Sequence, residues 1–572
     1  MNVKLLLILL TGFFLCTLQK STAQEVSKKQ DPPKIARAAK LSGGLNAYAG
    51  LYTASGITAR NQPAPFGLSG SLTLTLPGGI SLPFSGVLGN QGASFRQPFN
   101  QFGVSPSYKW ATAHAGYRNI SFSPFTLAGH TFLGGGVELN PGLLRFGAVY
   151  GRFNKASSST LADPDAIPSF KRTGYAFKVG YGKPNNYVDL VLLRARDDTN
   201  SIGPVQVTPE LNITPAENLV AGITSRLLLL KHVLVEVDAA ASSYTRDMLA
   251  SEVQAEGKNP LTRLLGKMIT PRLSSQLTQA TQAALSYQDK WGTLKVQYKR
   301  IDPNFQTMGA YYFQSDIESY TLAASFNLLK GKARMSGSYG RQFDNLANNK
   351  NAATGRSVGS LMVSLNPDPV FGLDISLSNY GLSQKAGLRP LIDTLRIAQN
   401  NFSATVNTRY SVFNTDLSHI FTLTATHQQL SDLNAATADQ TENDNQNLNL
   451  GYFLQHNRSG FGANLMLSYT QTGLPQTIPP ADNDRVRYYG PTLGTNYTFL
   501  KKKMTASANL SYQVNQQFGV TGKVLTASAN AGYQLAKRQS LSLMLNYLNS
   551  DTGIQSEKFN EFRGNIGYGI SF

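Results

Sequence analysis

The sequence predicts an all-β protein, a transmembrane antiparallel up-and-down β-barrel of about 26 strands, with short turns at one rim and long loops at the other. Three observations predict it. Apolar and polar residues alternate with a period of two from residue 41 to the end of the chain. The segments between the alternating runs are long and short in turn. After the first twenty residues no apolar run approaches the ~20 consecutive residues that a membrane helix requires.

Composition agrees. The chain of 572 residues holds 51 Gly, 29 Phe and 26 Tyr against only 33 Asp plus Glu. No shift of composition divides it beyond residue 40, so one large barrel fits better than several domains. The net charge of +19 is dispersed, with no basic cluster beyond Lys501-Lys502-Lys503. It reads as charge at strand ends facing anionic lipid and as a basic lumen, and no nucleic-acid partner is expected.

In chain order, residues 1–23 read as a signal peptide. Lys4 precedes the apolar run Leu5 to Leu15, and Ser21-Thr22-Ala23 supplies the small residues of a cleavage site. Cys16, the single cysteine, lies inside that run, and Phe13-Phe14-Leu15 before it do not suit lipidation. The mature chain is therefore expected to carry no thiol chemistry. Residues 24–40 form a charged linker with Pro32-Pro33, and residues 41–572 form the barrel.

Strands are expected near 41–53, 65–77, 79–89, 101–109, 111–121, 130–139, 142–153, 172–183, 186–196, 216–228, 231–244, 276–288 and 291–301. The second half continues near 317–328, 332–343, 356–366, 370–380, 399–411, 416–428, 446–456, 459–471, 486–499, 503–515, 523–534, 538–549 and 559–572. Long connections such as 154–171, 197–215, 245–275 and 302–316 alternate with tight ones such as Pro77-Gly78, Asn140-Pro141 and Lys501-Lys502 along the whole chain. An even strand number follows. Parity then assigns faces: Tyr175, Phe177, Val179 and Tyr181 turn to lipid, as do Leu541, Leu543, Leu545 and Tyr547.

The last strand carries the most specific signal. Phe562, Ile566, Tyr568, Ile570 and Phe572 share one parity, and Glu561, Arg563, Asn565 and Ser571 the other. A terminal Phe572 after this alternation resembles the C-terminal strand of Gram-negative outer-membrane β-barrels, and the leader and strand composition resemble those of Bacteroidota. The resemblance implies short periplasmic turns, long extracellular loops and placement in the outer membrane after export. It implies outer-membrane lipid and the barrel-assembly machinery as partners, the latter reading Tyr568, Ile570 and Phe572. Pairing of this strand with 41–53 is expected to close the barrel.

A barrel roughly 50 Å across its backbone follows from 26 strands at ~4.8 Å spacing and ~40° tilt. Side chains of the strands cannot fill it. The stretch between Gln24 and the first strand is too short for the plug domain of TonB-dependent receptors. The candidate obstruction is the longest loop, 245–275, where Met248, Leu249, Leu261, Leu264, Leu265 and Met268 recur at roughly helical spacing. A lesser candidate is 384–396, with Leu388, Leu391, Ile392 and Leu395.

Parity places His114, Arg118, Arg145, Lys178, Arg226, Lys295, Lys299, Arg334, Arg409 and Arg563 in the lumen, with Glu138, Asp189, Glu236, Asp238, Asp374 and Glu561 as counter-charges. Cross-strand ion pairing is the expected use of most of them, with a weak lean toward anions. The histidines show no HExxH or comparable spacing, and no serine has the context of a nucleophile. No enzyme, metal or cofactor is expected. The function expected is a channel for passive solute passage through a loop-narrowed lumen. The alternative is a closed barrel that docks other outer-membrane or periplasmic proteins as an assembly or secretion subunit.

Overall fold

The computed structural model of the chain describes residues 39–90, 101–157, 168–202, 213–253, 268–311, 314–390, 392, 394, 396–475, 485–517, 519–553 and 558–572. The leader and nearly all of the linker lie outside the described residues.

Strands follow one another with antiparallel neighbours throughout. The first are β1 (Lys40–Ser55), β2 (Phe66–Thr75), β3 (Ser81–Gly89), β4 (Gln101–Val104), β5 (Ser107–Tyr108), β6 (Ala111–Ser121), β7 (Ala128–Leu139), β8 (Leu144–Asn154) and β9 (Arg172–Lys183). Next come β10 (Asn186–Asp197), β11 (Glu217–Leu229), β12 (Val233–Thr245), β13 (Ser275–Asp289), β14 (Gly292–Ile301), β15 (Ile317–Leu328), β16 (Ala333–Phe343), β17 (Ala352–Leu365) and β18 (Phe371–Ala386). The chain ends with β19 (Ala398–Phe413), β20 (Leu417–Asp432), β21 (Asn443–His456), β22 (Phe461–Gly473), β23 (Arg485–Phe499), β24 (Met504–Gln517), β25 (Val520–Ala536), β26 (Gln539–Asp551) and β27 (Lys558–Ser571).

Strands β4 and β5 both pair with β3 and β6, so they are one stave broken at Ser105-Pro106, and the barrel has 26 staves. Proline has no N–H for the ladder, which accounts for the break. Closure is antiparallel, from Gly44 opposite Ser571 to Ser55 opposite Asn560, and the Phe572 amide donates to the Gly43 carbonyl. Among the described residues no sheet edge is left open.

Several strands run farther toward the long-loop rim than the apolar alternation does. β18 reaches Ala386 and β20 reaches Asp432. The ladder there carries polar side chains on both faces, so pairing continues after the apolar signal has stopped. For the same reason one outer connection is short: β24 and β25 leave only residues 518–519 between them. Among the described residues, the loop expected at 429–445 shrinks to 433–442 and contains the single helical turn Ala438–Thr441.

The outward face is apolar and ends in aromatic rows. At the short-turn rim, Tyr287, Trp291 and Phe326 form one run of ring contacts, Phe421, Tyr452 and His419 a second, and Phe461, Tyr497 and Phe499 a third. At the opposite rim, Tyr298 and Tyr320 both donate to the Glu318 carboxylate at 2.9 Å. An apolar band between two aromatic girdles is the surface of a protein solvated by lipid. The short turns bear the same stamp. Leu230-Lys231 and Leu329-Lys330 hold left-handed backbone that costs a non-glycine residue ~1–2 kcal/mol. Leucine there stays in the apolar boundary while lysine reaches the head groups.

Candidate functional site in the lumen

The inner face has three zones. The first is an apolar padding against β6 to β15, built by two loops that leave the outer rim and fold inward. Residues 122–127 connect β6 to β7, and residues 302–316 connect β14 to β15. Phe122, Phe125 and Leu127 of the first loop and Phe305 of the second join one buried cluster with the inward side chains Phe132, Val149, Phe153, Val191, Leu193 and Val220. Phe125 meets Phe305 edge to face, with ring centroids 6.3 Å apart.

Polar contacts fix the loops on the wall. The Ser242 hydroxyl donates to the Gln306 carbonyl at 2.6 Å, the Met308 amide donates to Asn218 Oδ1 at 3.0 Å, and Thr307 Oγ1 donates to the Thr126 carbonyl at 2.7 Å. The Ala128 amide donates to the Gly309 carbonyl at 2.9 Å. Glycine is required at 309, where a Cβ would collide with the Thr126 carbonyl oxygen and Leu193. At Gly147 a Cβ would lie 2.7 Å from the Phe122 ring. Above the padding, at the outer rim, a cleft of about 240 Å³ opens between His130, Arg172, Asp197 and Tyr311. Arg172 donates twice to Asp197 at 2.7 and 3.0 Å, and the His130 ring stacks on Tyr311 at 4.1 Å.

The second zone is an ion-paired belt on the same strands, nearer the short-turn rim. Arg145 donates to both oxygens of buried Asp189, at 2.7 and 2.9 Å. Lys178 pairs with Glu138 at 3.3 Å and lies 4.8 Å from the Phe122 ring centroid, so it joins belt to padding. Arg226 and Lys295 share Glu236 at 3.7 and 3.4 Å, and Thr224 donates to Asp238 at 2.6 Å. Arg226 and Glu236 face each other on adjacent strands, which stabilises a sheet, whereas Arg145–Asp189 and Lys178–Glu138 reach across Gly180 and Gly147 of the strand between.

His114 also belongs to the belt, with Ser105 Oγ 2.9 Å from Nδ1 and Glu138 Oε2 3.3 Å from Nε2. The residue types are those of a nucleophile triad, but the arrangement serves the wall. Ser105 sits at the break in its stave, the ring ties that break to β6, and Lys178 already neutralises the carboxylate. Arg118 completes the tie by donating to the Val104 carbonyl and to Ser85.

The third zone, on β20 to β26, is an amide and hydroxyl wall. Asn445 and Asn447 donate to Thr472 and Thr470 at 2.7 and 2.6 Å, and Thr492 donates to Ser511 at 2.9 Å. Between this wall and the padding lie Lys299, Arg334 and Arg409, for which no ion pair is found among the described residues. At the closing seam, Arg563 stands over the Tyr52 ring at 5.8 Å, and the Tyr52 hydroxyl donates to Glu561 at 2.5 Å.

The longest loop lies elsewhere. Met268 and Ile269 pack against Leu192 and Leu219, side chains of the outward face. The Met248 amide donates to the Pro215 carbonyl, and Leu249 is 73% exposed. Leu261, Leu264 and Leu265 lie outside the described residues. In the loop after β18, Leu388 and Ile392 are exposed. Tyr568 and Ile570 stand opposite Leu541 and Gln539 in the closing ladder.

The padding residues carried a signal that length alone does not give. Phe122, Phe125, Leu127, Phe305 and Met308 are apolar side chains in loops that should face water. A short polar outer loop rarely needs so many.

A closed barrel with an apolar outer band and a furnished interior defines a membrane-spanning β-barrel. No protein-family model matches the chain, and no curated protein matches it. Similar solved structures include the P pilus usher (PapC) translocation pore, at 11% identity and a TM-score of 0.37 over 93% of this chain and 99% of that one. The FrpB iron transporter from Neisseria meningitidis has 11% identity and a TM-score of 0.37 over 92% of this chain and 81% of that one. The outer membrane protein OpdK from Pseudomonas aeruginosa has 14% identity and a TM-score of 0.30 over 67% of this chain and 98% of that one. Superposition is weak in every case, so the assignment rests on the barrel itself.

Proposed function

We propose that the protein is an outer-membrane channel of a Gram-negative cell, exported with a cleaved leader, through which solutes pass down their gradient. The observation that carries this reading is the padding. A wide barrel whose loops 122–127 and 302–316 fold against one inner wall, where Asn218 and Ser242 hold the second of them, is narrowed from that side. A lumen built to be closed needs no hydrophilic wall opposite the padding, whereas a path for water-soluble molecules does.

Lipid surrounds the barrel, and the assembly machinery that inserts it is expected to read the strand ending in Phe572. The test is conductance in planar bilayers, for the whole chain and for a variant with 303–311 replaced by a short Gly/Ser linker. Stable steps that grow severalfold on replacement are expected. Silent bilayers, together with stoichiometric partner proteins retained in gentle detergent, would instead favour a closed docking subunit.

A further inference from the structure

We infer that the solutes of this channel are uncharged, hydroxyl-rich molecules of the saccharide type, an inference that rests on the channel reading. It comes from the zone half-way round the barrel from the padding. Register and parity give the inner face of the seven staves β20 to β26, and apart from Asp432 at its outer rim that face carries no Asp, Glu, Lys, Arg or His. The charged residues of these strands, such as Arg487 and Lys523, have the outward parity and stand near the outer rim. Charge on the inner wall lies elsewhere, in the belt on β6 to β14, in Arg334, Arg356, Asp374 and Arg409 on β16 to β19, and in Glu561 and Arg563 on β27, while β2 to β5 and β15 are short neutral stretches.

In place of charge the wall presents fixed amides and hydroxyls. Asn447 donates to Thr470 and receives from Asn449, and Gln513 donates to Ser511, which also accepts from Thr492. Asn464 and Asn509 both lean over Gly494, which leaves room for them by having no side chain. Each carboxamide offers two donors and one acceptor, and the ladder uses only part of that capacity. Tyr488, 39% exposed, adds a flat ring on the same face.

A polyol moving along this surface exchanges hydrogen bonds to water for hydrogen bonds to amides and hydroxyls at little net cost. An ion sheds hydration there and meets no counter-charge. The opposite wall offsets this preference little, because Arg145, Lys178, Arg226 and Lys295 are paired with carboxylates and its upper half is apolar, which leaves Lys299 as a lone cation there among the described residues. The padding also pushes traffic toward the neutral wall.

The experiment is swelling of proteoliposomes containing the full chain in isosmotic glucose, gluconate or glucosamine, which are close in size and differ in charge. Glucose is expected to enter at least threefold faster than both charged analogues. A second readout is reversal potential in a potassium chloride gradient, where the wild type is expected to discriminate weakly. Asn447→Asp with Asn509→Asp, checked for the heat-dependent gel mobility of a folded barrel, should shift that potential toward cations and slow glucose. Charged analogues entering as fast as glucose, or a folded double variant with unchanged reversal potential, would overturn the inference and leave the channel standing. No swelling and no conductance with any solute would remove the channel reading and this inference together.

Discussion

The two sides of the barrel solve the same problem differently. On β6 to β15 the inner face is treated as a protein core, and on β20 to β26 as a solvated surface. Among the described residues, all buried hydrophobic side chains but Tyr52, Ala398 and Val486 lie between Ile120 and Ile317. The outward faces do not differ in this way, since both carry the same apolar band and girdles. Lipid therefore sets the outside everywhere, and the inside is specified strand by strand. The difference teaches where stability and the proposed function separate: the padded side holds shape through packing, and the neutral side, proposed as the wall that meets the solute, contributes little packing.

The largest effect should come from breaking the core of the padding. Phe305 is wholly buried against Phe125. Phe305→Ala removes a large buried ring and should cost about 3–5 kcal/mol. Met544→Ala, on the neutral wall where Met544 is 46% exposed, should change stability by less than about 0.5 kcal/mol. Urea midpoints followed by the folded-to-unfolded shift in gel mobility measure both. Equal losses would erase the distinction between the two sides.

A smaller loss is expected from the belt, where the test is charge rather than volume. Asp189→Asn leaves the Arg145 guanidinium beside a neutral amide, in a wall where its partner was buried and doubly hydrogen bonded. Stranding a charge in this way should cost about 3 kcal/mol, and Arg145→Met with Asp189→Leu should recover much of it. If the double variant is no better than the single one, the pair does more than neutralise itself. Conductance should change in neither, because the belt faces its own partners rather than the path.

Most of the barrel was legible in the sequence, for a simple reason. A lipid-facing residue every second position is forced on each strand separately, so period and parity expose it without knowledge of any other strand. The closing pair was legible too, because an even number of antiparallel strands can close in one sense only. The padding was not. Whether 122–127 lies in the lumen depends on Asn218, Gly222 and Ser242, which sit on strands far along the chain and have ordinary side chains for an inner wall. Loop length pointed instead to 245–275, but length is entropically cheap and says nothing of direction. Apolar content of short loops was the better guide. The seam between β4 and β5 was hidden for a related reason, since Pro106 interrupts the ladder without interrupting the alternation.

The smallest effect is a pH dependence at the point where the padding loop ends and β15 begins. Asp316 ends that loop, pairs with Lys350, and accepts the Asn345 and Leu346 amides at 3.1 and 2.8 Å. Burial alone would raise its pKa, but the bonds from Lys350 and the two amides outweigh burial and hold the carboxyl below its ordinary range. A depressed pKa in the folded state means the stabilisation is complete above the unfolded value, near ~3.9, and fades as pH falls through the lower folded value. Between pH 7 and 5 nothing should change at this site. Cleavage within 302–316 and 344–351 by pepsin, which works in acid, should rise only below about pH 4 in the wild type. In Asp316→Asn it should already be high at pH 5, with a cost of about 1 kcal/mol that does not vary with pH. If the wild type loosens between pH 7 and 5 instead, the carboxyl is not held down, and the padding loop is anchored by its contacts with Asn218 and Ser242 alone.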